Sequence, residues 1–297
     1  MVAASARHAP PPAREIELTI RGGRTRLWCY GPDDGRPQVL FLHGLRGDHH
    51  GLAPIVRQLT GLSVLVPDLP GFGASEPLPD ARHNVDGYRA WTVELLELLA
   101  PDGDAVLAGH SFGSILAAAT VAAGVAVRGL ALISPIASIA VGGPRRVVTA
   151  TTVGYHRLAA ALPEPAGTAL LRSRLMTRMA SQAMVRTPDR ELRRWIHAEH
   201  DRRFRGFANR RVLLEAFESS ISTDVAGFAE RMTVPTLLVA GAADDIAPPA
   251  TQHELAGRLP DARLVLLPGT GHLAHYEAPS QVAAELATFV EAVRPTS

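Results

Sequence analysis

The sequence predicts an α/β domain built on a mainly parallel sheet and interrupted once by an inserted block of helices. Two observations carry this. Runs of four to six β-branched or leucine residues alternate with helical patterns of ten to fifteen residues, the alternation a parallel sheet requires. From Ala137 to Met232 the alternation stops, and roughly ninety-five residues of helical spacing separate two strands, well beyond an ordinary crossover. The chain has 297 residues, 46% hydrophobic and 20% charged, which suits a folded domain with a sizeable core. The net charge is +1, from 30 basic and 29 acidic residues, so no polyelectrolyte partner is indicated and nucleic acid is not expected. Every basic residue is arginine. The lone Cys29 excludes an internal disulfide and a multi-thiolate metal site, and it fits a reducing cytoplasm.

Taken in order, residues 1–14 are rich in alanine and proline and read as a flexible arm rather than a signal peptide. Glu15–Ile20 and Arg26–Tyr30 read as a hairpin joined around Gly22-Gly23. Val39–His43 is a short apolar run suited to a buried strand, Leu52–Leu59 has helical spacing, and Ser63–Pro67 is strand-like again. Val85–Leu99 is a helix with Trp91, Leu95, Leu98 and Leu99 on its apolar side. Ala105–Val127 carries no formal charge over 23 residues, long enough to nominate a membrane span. His110, two serines and three glycines interrupt it, so it is divided into a strand, Ala105–Ala108, and a small-residue helix, Phe112–Ala123. Leu130–Ile133, Thr236–Ala240 and Ala262–Leu267 complete the strands. Ala250–Leu259 and Ser280–Val293 are the last helices. Within the insertion, helices are expected over Arg146–Ala161, Ala166–Val185, Asp189–Phe204 and Arg210–Ile221. The insertion holds 16 arginines against 9 acids, +7, leaving −6 for the rest. The core is thus expected over 15–136 and 233–297, with the helical block over 137–232.

The strongest chemical signal is Gly109-His110-Ser111-Phe112-Gly113, a G-x-S-x-G between a strand and a helix. A nucleophile on such a strained turn needs its neighbours two residues away to lack side chains. A plain strand-to-helix turn is the bland alternative. A serine hydroxyl is a poor nucleophile at neutral pH, so it needs a base, and the base needs an orienting carboxylate. The order required by this turn is serine, acid, histidine. Asp244-Asp245 and His272 follow two later strands, at the carboxyl edge where α/β sheets place their sites.

With these motifs in place the chain resembles the α/β-hydrolase superfamily, in its cap-bearing branch of small-molecule hydrolases. The resemblance runs from about Glu15 to Val293. It rests on His43-Gly44, on Asp68-Leu69-Pro70-Gly71-Phe72-Gly73-Ala74-Ser75, and on the serine turn. Val234-Pro235-Thr236 leading to Gly241, Asp244 and Pro248, and Gly271-His272 with Glu277-Ala278-Pro279, complete it. It implies an α/β-hydrolase fold with a helical cap, Ser111 as nucleophile, Asp244 as acid and His272 as base. Asp245 is the rival acid and His275 the rival base. Some relatives take the acid after the sixth strand, but here that place reads Ser134-Pro135. The backbone N–H groups of Leu45 and Phe112 would form the oxyanion hole. His43 is expected to brace its loop or touch substrate, and Asp68 to tie the glycine-rich turn.

The remaining features are weaker. Asp48-His49-His50 suggests a metal on composition, but adjacent histidines diverge, so no metal is expected and a cap on the following helix is preferred. Leu192, Trp195 and Ile196 form an apolar stripe, read either as a lid surface with Trp195 on substrate or as packing inside the cap. The cap arginines would lie mostly in solvent; any turned inward would favour an anionic group on the substrate. Serine at the turn implies an acyl-enzyme and a small to medium carboxylic ester as substrate, with no cofactor. The alternatives are a carbon–carbon bond hydrolase of a vinylogous diketone, a thioesterase or acyltransferase, cofactor-independent oxygen or halide chemistry, and a binding protein that keeps the triad without turnover. Whether the chain forms a homodimer is left open.

Overall fold

The computed structural model describes residues 13–32, 37–139 and 145–294. Most of the expected N-terminal arm lies outside the described residues, but Arg14 already belongs to the first strand. β1 (Arg14–Ile20) and β2 (Gly23–Tyr30) form a hairpin in which Ile20 faces Gly23. The two turn residues are therefore Arg21 and Gly22, both at positive φ (51° and 75°), as a type I′ turn requires. Gly23, expected in the turn, sits inside β2.

β3 (Val39–Leu42), α1 (His49–Val56), β4 (Val64–Pro67), α2 (Val85–Leu99), β5 (Val106–His110), α3 (Phe112–Val121) and β6 (Gly129–Ile133) follow. Helix α1 starts three residues before the sequence pattern suggests, because the Asp48 side chain accepts from the His50 N–H and caps it there. After the insertion come β7 (Thr236–Gly241), α9 (Pro249–Arg258), β8 (Ala262–Leu267), α10 (Ala274–Glu277) and α11 (Pro279–Ala292), the inserted helices being α4 to α8. The eight strands lie in the order β1-β2-β4-β3-β5-β6-β7-β8, antiparallel from β1 to β4 and parallel from there to β8.

The alternation of side chains along the central strands builds two cores. Leu40, Leu42, Leu107, Leu130 and Leu132 face α2 and α3, packing with Trp91, Leu95 and Ile115. Val39, Phe41, Val106, Ala108, Ala131 and Ile133 face the other way, onto Leu52 and Ile55 of α1 and Val282 and Leu286 of α11. Strands buried on both faces explain why these runs read as continuously apolar. The uncharged stretch from Ala105 is divided between β5 and α3, and among the described residues no helix is long and apolar enough to cross a membrane.

Between β6 and β7 run α4 (Arg145–Ala161), α5 (Glu164–Leu171), α6 (Arg174–Met184), α7 (Arg190–Arg203), α8 (Arg210–Ser222) and a 3₁₀ turn at Ala226–Arg231. The single helix expected over Ala166–Val185 is two helices broken at Arg172-Ser173. No glycine or proline marks the break. Instead Tyr155 Oη donates to the Leu170 carbonyl (2.8 Å) and Arg46 to that of Leu171 (2.6 Å), so tertiary donors end α5 where the local pattern would continue it. The inserted helices touch the loops after β3, β4, β7 and β8. Ala208 N–H donates to Gly71 O at 2.8 Å beside a Phe72–Phe207 bridge. Leu192, Trp195 and Ile196 pack on Leu273 and Tyr276. The block thus lies over the carboxyl edge of the sheet.

Candidate active site

β5 runs two residues further than the apolar pattern suggests, ending at His110, so Ser111 stands directly between strand and helix. Its backbone has φ 51° and ψ −114°, a region that costs a non-glycine residue about 1–3 kcal/mol. The flanking glycines are sterically obligatory. A Cβ on Gly109 would lie 2.3 Å from Gly113 O, and one on Gly113 would lie 2.4 Å from Leu42 O. The turn therefore locks β5, α3 and the end of β3 together, and Ser111 remains half-buried.

The loops after β7 and β8 bring the other two residues to it. At Gly241 a Cβ would meet Thr270 O at 2.2 Å, so only glycine lets these loops approach so closely. Ser111 Oγ lies 2.8 Å from His272 Nε2, and His272 Nδ1 lies 2.8 Å from Asp244 Oδ2. A carboxylate only accepts, so Nδ1 carries the proton and Nε2 is left as the acceptor for the serine hydroxyl. Burial by itself would raise the Asp244 carboxyl. The adjacent His272 and the N–H groups of Ala247 and Ile246 outweigh it and hold Asp244 below the usual carboxylate range.

Asp245, the rival acid, instead pairs with Arg186 from the insertion. His275, the rival base, is buried against His110 with ring centroids 4.0 Å apart. Burial and neighbouring imidazoles hold His275 well below histidine's usual value, and burial with His272 beside it brings His110 down to about 3. Both are neutral rings packed behind the site.

Phe112 opens α3, so its N–H belongs to the unpaired first turn of a helix. Leu45 lies in a turn closed by Gly47 N–H to Gly44 O (3.1 Å). Gly44 abuts the serine: a Cβ there would be 3.3 Å from Ser111 Cβ. The buried His43 engages both ring nitrogens within the protein. Its Nδ1–H donates to Gly44 O (2.8 Å) and its Nε2 accepts from the Leu69 N–H (2.9 Å), so it braces two loops. Asp68 accepts from the Ala74 N–H (2.7 Å) and the His49 N–H (2.8 Å), tying the glycine-rich turn to α1. Potential ligand atoms of Asp48, His49 and His50 fall within 4.8 Å of one another. The two histidines therefore converge rather than diverge, with ring centroids 3.9 Å apart; His49 Nδ1 also faces Asp68 at 3.0 Å, and Arg203 lies 3.7 Å from Asp48.

Trp195 meets the Tyr276 ring edge-on at 5.2 Å, which makes the α7 stripe an anchor onto the loop after His272. Sequence reasoning passed over two of the residues that bind the insertion to the site. Glu277 accepts from the N–H groups of Arg186 (2.6 Å), Thr187 (2.9 Å) and Gly271 (2.7 Å); its place in the Glu277-Ala278-Pro279 motif was the available signal. Arg46, next to Leu45, donates into the inserted helices; an arginine in a turn flanked by glycines was the sign.

The alpha/beta hydrolase family model matches residues 39–285. A pimeloyl-[acyl-carrier protein] methyl ester esterase of Stenotrophomonas maltophilia is 28% identical over 87% of this chain and 95% of its own. Lipase 1 of Psychrobacter immobilis is 23% identical over 92% of this chain and 82% of its own. Among solved structures, a thermophilic esterase from Thermogutta terrifontis superposes with a TM-score of 0.72 at 22% identity, covering 95% of this chain and all of that one. With the serine turn, the sheet order and the family match in agreement, the chain belongs to the alpha/beta hydrolase family.

Proposed function

We propose that this protein is a serine hydrolase that cleaves a small to medium carboxylic ester through an acyl-enzyme. The observation that carries the reading is the relay of two 2.8 Å contacts from Ser111 through His272 to Asp244. Ser111 Oγ attacks the ester carbonyl while His272 Nε2 takes its proton, and the buried Asp244 carboxylate stabilises the imidazolium. The amides of Leu45 and Phe112 hold the oxyanion. His272 then gives its proton to the departing alcohol, and in the second half it activates water to release the acid and regenerate Ser111. The helical block over 137–232 acts as a cap on the core of 15–136 and 233–297. The ester assignment draws on relatives named as a methyl ester esterase and a lipase.

The test is turnover of a p-nitrophenyl ester series with intact-mass detection of an acyl adduct. Wild-type protein is expected to hydrolyse short and medium chains with the adduct on Ser111, and Ser111→Ala to lose at least about 10³-fold in kcat. Turnover that survives Ser111→Ala, or an absence of ester turnover by folded protein, overturns the proposal.

A further inference from the structure

Arg46 occupies an unfavourable backbone site. Gly44, Leu45, Arg46 and Gly47 form a four-residue turn closed by the Gly47 N–H on Gly44 O. Arg46 is its third residue, at φ 62°, while Leu45 is not among the positive-φ residues. That is the signature of a type II turn, whose third position belongs to glycine. An arginine there strains the turn unless its side chain offsets the cost.

The side chain has the contacts to do so, and all lie on the insertion. Nε donates to Phe204 O (2.9 Å) at the C-terminal end of α7, and one terminal nitrogen donates to Leu171 O (2.6 Å) at the C-terminal end of α5. The guanidinium also acts electrostatically with the Tyr155 side chain on α4 and lies 5.8 Å from the Phe207 ring centre. No carboxylate acts on it among the described residues. Its charge is met by two helix C-termini, whose dipoles are negative there, and burial holds it below arginine's usual range.

Resting on the serine-hydrolase reading above, we propose that Arg46 is a positioning residue that couples docking of the inserted helices to the shape of the turn presenting the Leu45 amide. With α4, α5 and α7 seated, their acceptors hold Arg46 in the left-handed region and the turn keeps its type II form beside Ser111. With the insertion displaced, the guanidinium loses these acceptors, nothing offsets the strain, and the turn relaxes toward negative φ at residue 46. The oxyanion-holding loop is then shaped only when the insertion is in place.

Two substitutions separate this from a latch or a local packing role. Arg46→Ala removes the tether and keeps the strain; Arg46→Gly removes both. The readouts are the rate at which a fluorophosphonate labels Ser111 and amide hydrogen exchange across α4 to α7, in the full chain. Both variants are expected to exchange faster at the ends of α5 and α7. Labelling of Arg46→Ala is expected to fall about ten-fold, while Arg46→Gly stays within about three-fold of wild type, because glycine holds the turn unaided. Equal labelling of wild type and Arg46→Ala, faster labelling of Arg46→Ala, equal losses in both variants, or unchanged exchange in Arg46→Gly each overturn the coupling. Arg46→Gly, which carries no backbone strain, keeps the exchange arm decisive should Arg46→Ala fold poorly. Wild-type protein that is not labelled at Ser111 overturns the hydrolase reading itself, and this inference with it.

Discussion

At the scale of the residue, the two adjacent aspartates show how environment separates identical side chains. Asp244 is 2% exposed and accepts from His272 and two backbone amides. Its neighbour Asp245 points outward to an arginine. Asp244→Asn is therefore expected to lower kcat for an ester by about 10³–10⁴, because an amide favours the wrong imidazole tautomer. Asp245→Asn should leave kcat within a few-fold, and steady-state kinetics on the two variants decides it. Ser111 and His272 were legible in the sequence, since a strand-to-helix G-x-S-x-G and a Gly-His after a later strand leave few alternatives. The choice between Asp244 and Asp245 was not fixed by residue type, because either could follow β7; the register of one turn settles which faces inward. His43 was read as either brace or substrate contact, and only its two backbone partners distinguish these.

At the scale of the element, boundaries set by local chemistry were readable and those set by tertiary contacts were not. The cap at Asp48 and the hairpin at Arg21-Gly22 moved element ends by one to three residues. The division of α5 from α6 left no mark in the sequence, since it depends on Tyr155 and Arg46, distant along the chain. The short helix α10 escaped for a similar reason: four residues are too few to show a period. Glu277, at its end, joins the insertion to the loop that carries His272 through three amides. Glu277→Ala strands those donors, and each bond has a net worth of about 0.5–1.5 kcal/mol. The expected result is a loss of about 2 kcal/mol in urea unfolding, with faster proteolysis near Arg186. Unchanged cleavage there would show that α7 alone seats the insertion.

At the scale of the whole molecule, the stability of this fold is tied to pH through its buried histidines. Burial, the first cause in each case, holds His110 and His200 at about 3 and His156 at about 4, and it depresses His275 as well. Unfolded, each would protonate near 6.5. Between those values the unfolded chain binds more protons, so this stability is complete above about pH 6.5 and is lost as pH falls toward 4. Each histidine contributes up to about 1 kcal/mol per pH unit in that window. The urea midpoint should therefore drop steadily from pH 7 to pH 5. His156→Phe, which preserves the 3.5 Å ring stack on Phe217, should flatten the slope. A midpoint independent of pH would contradict the assignment of neutral rings. The alternation of strands and helices made the parallel sheet and the long insertion legible. It could not say where the insertion sits, because that depends on loops that meet only in three dimensions.

The spacing of Ser111, Asp244 and His272 has a consequence for biosynthesis. The contact between serine and histidine spans 161 positions, and Asp244 and His272 lie on the loops after β7 and β8, which pair beyond β6. Long-range closure of this kind is slow, because loop entropy is lost before the contacts form. A chain that stalls on the ribosome or is clipped before residue 272 lacks the imidazole proposed above to activate Ser111. On the proposed mechanism, abortive products of this protein would be chemically silent toward esters in the cell.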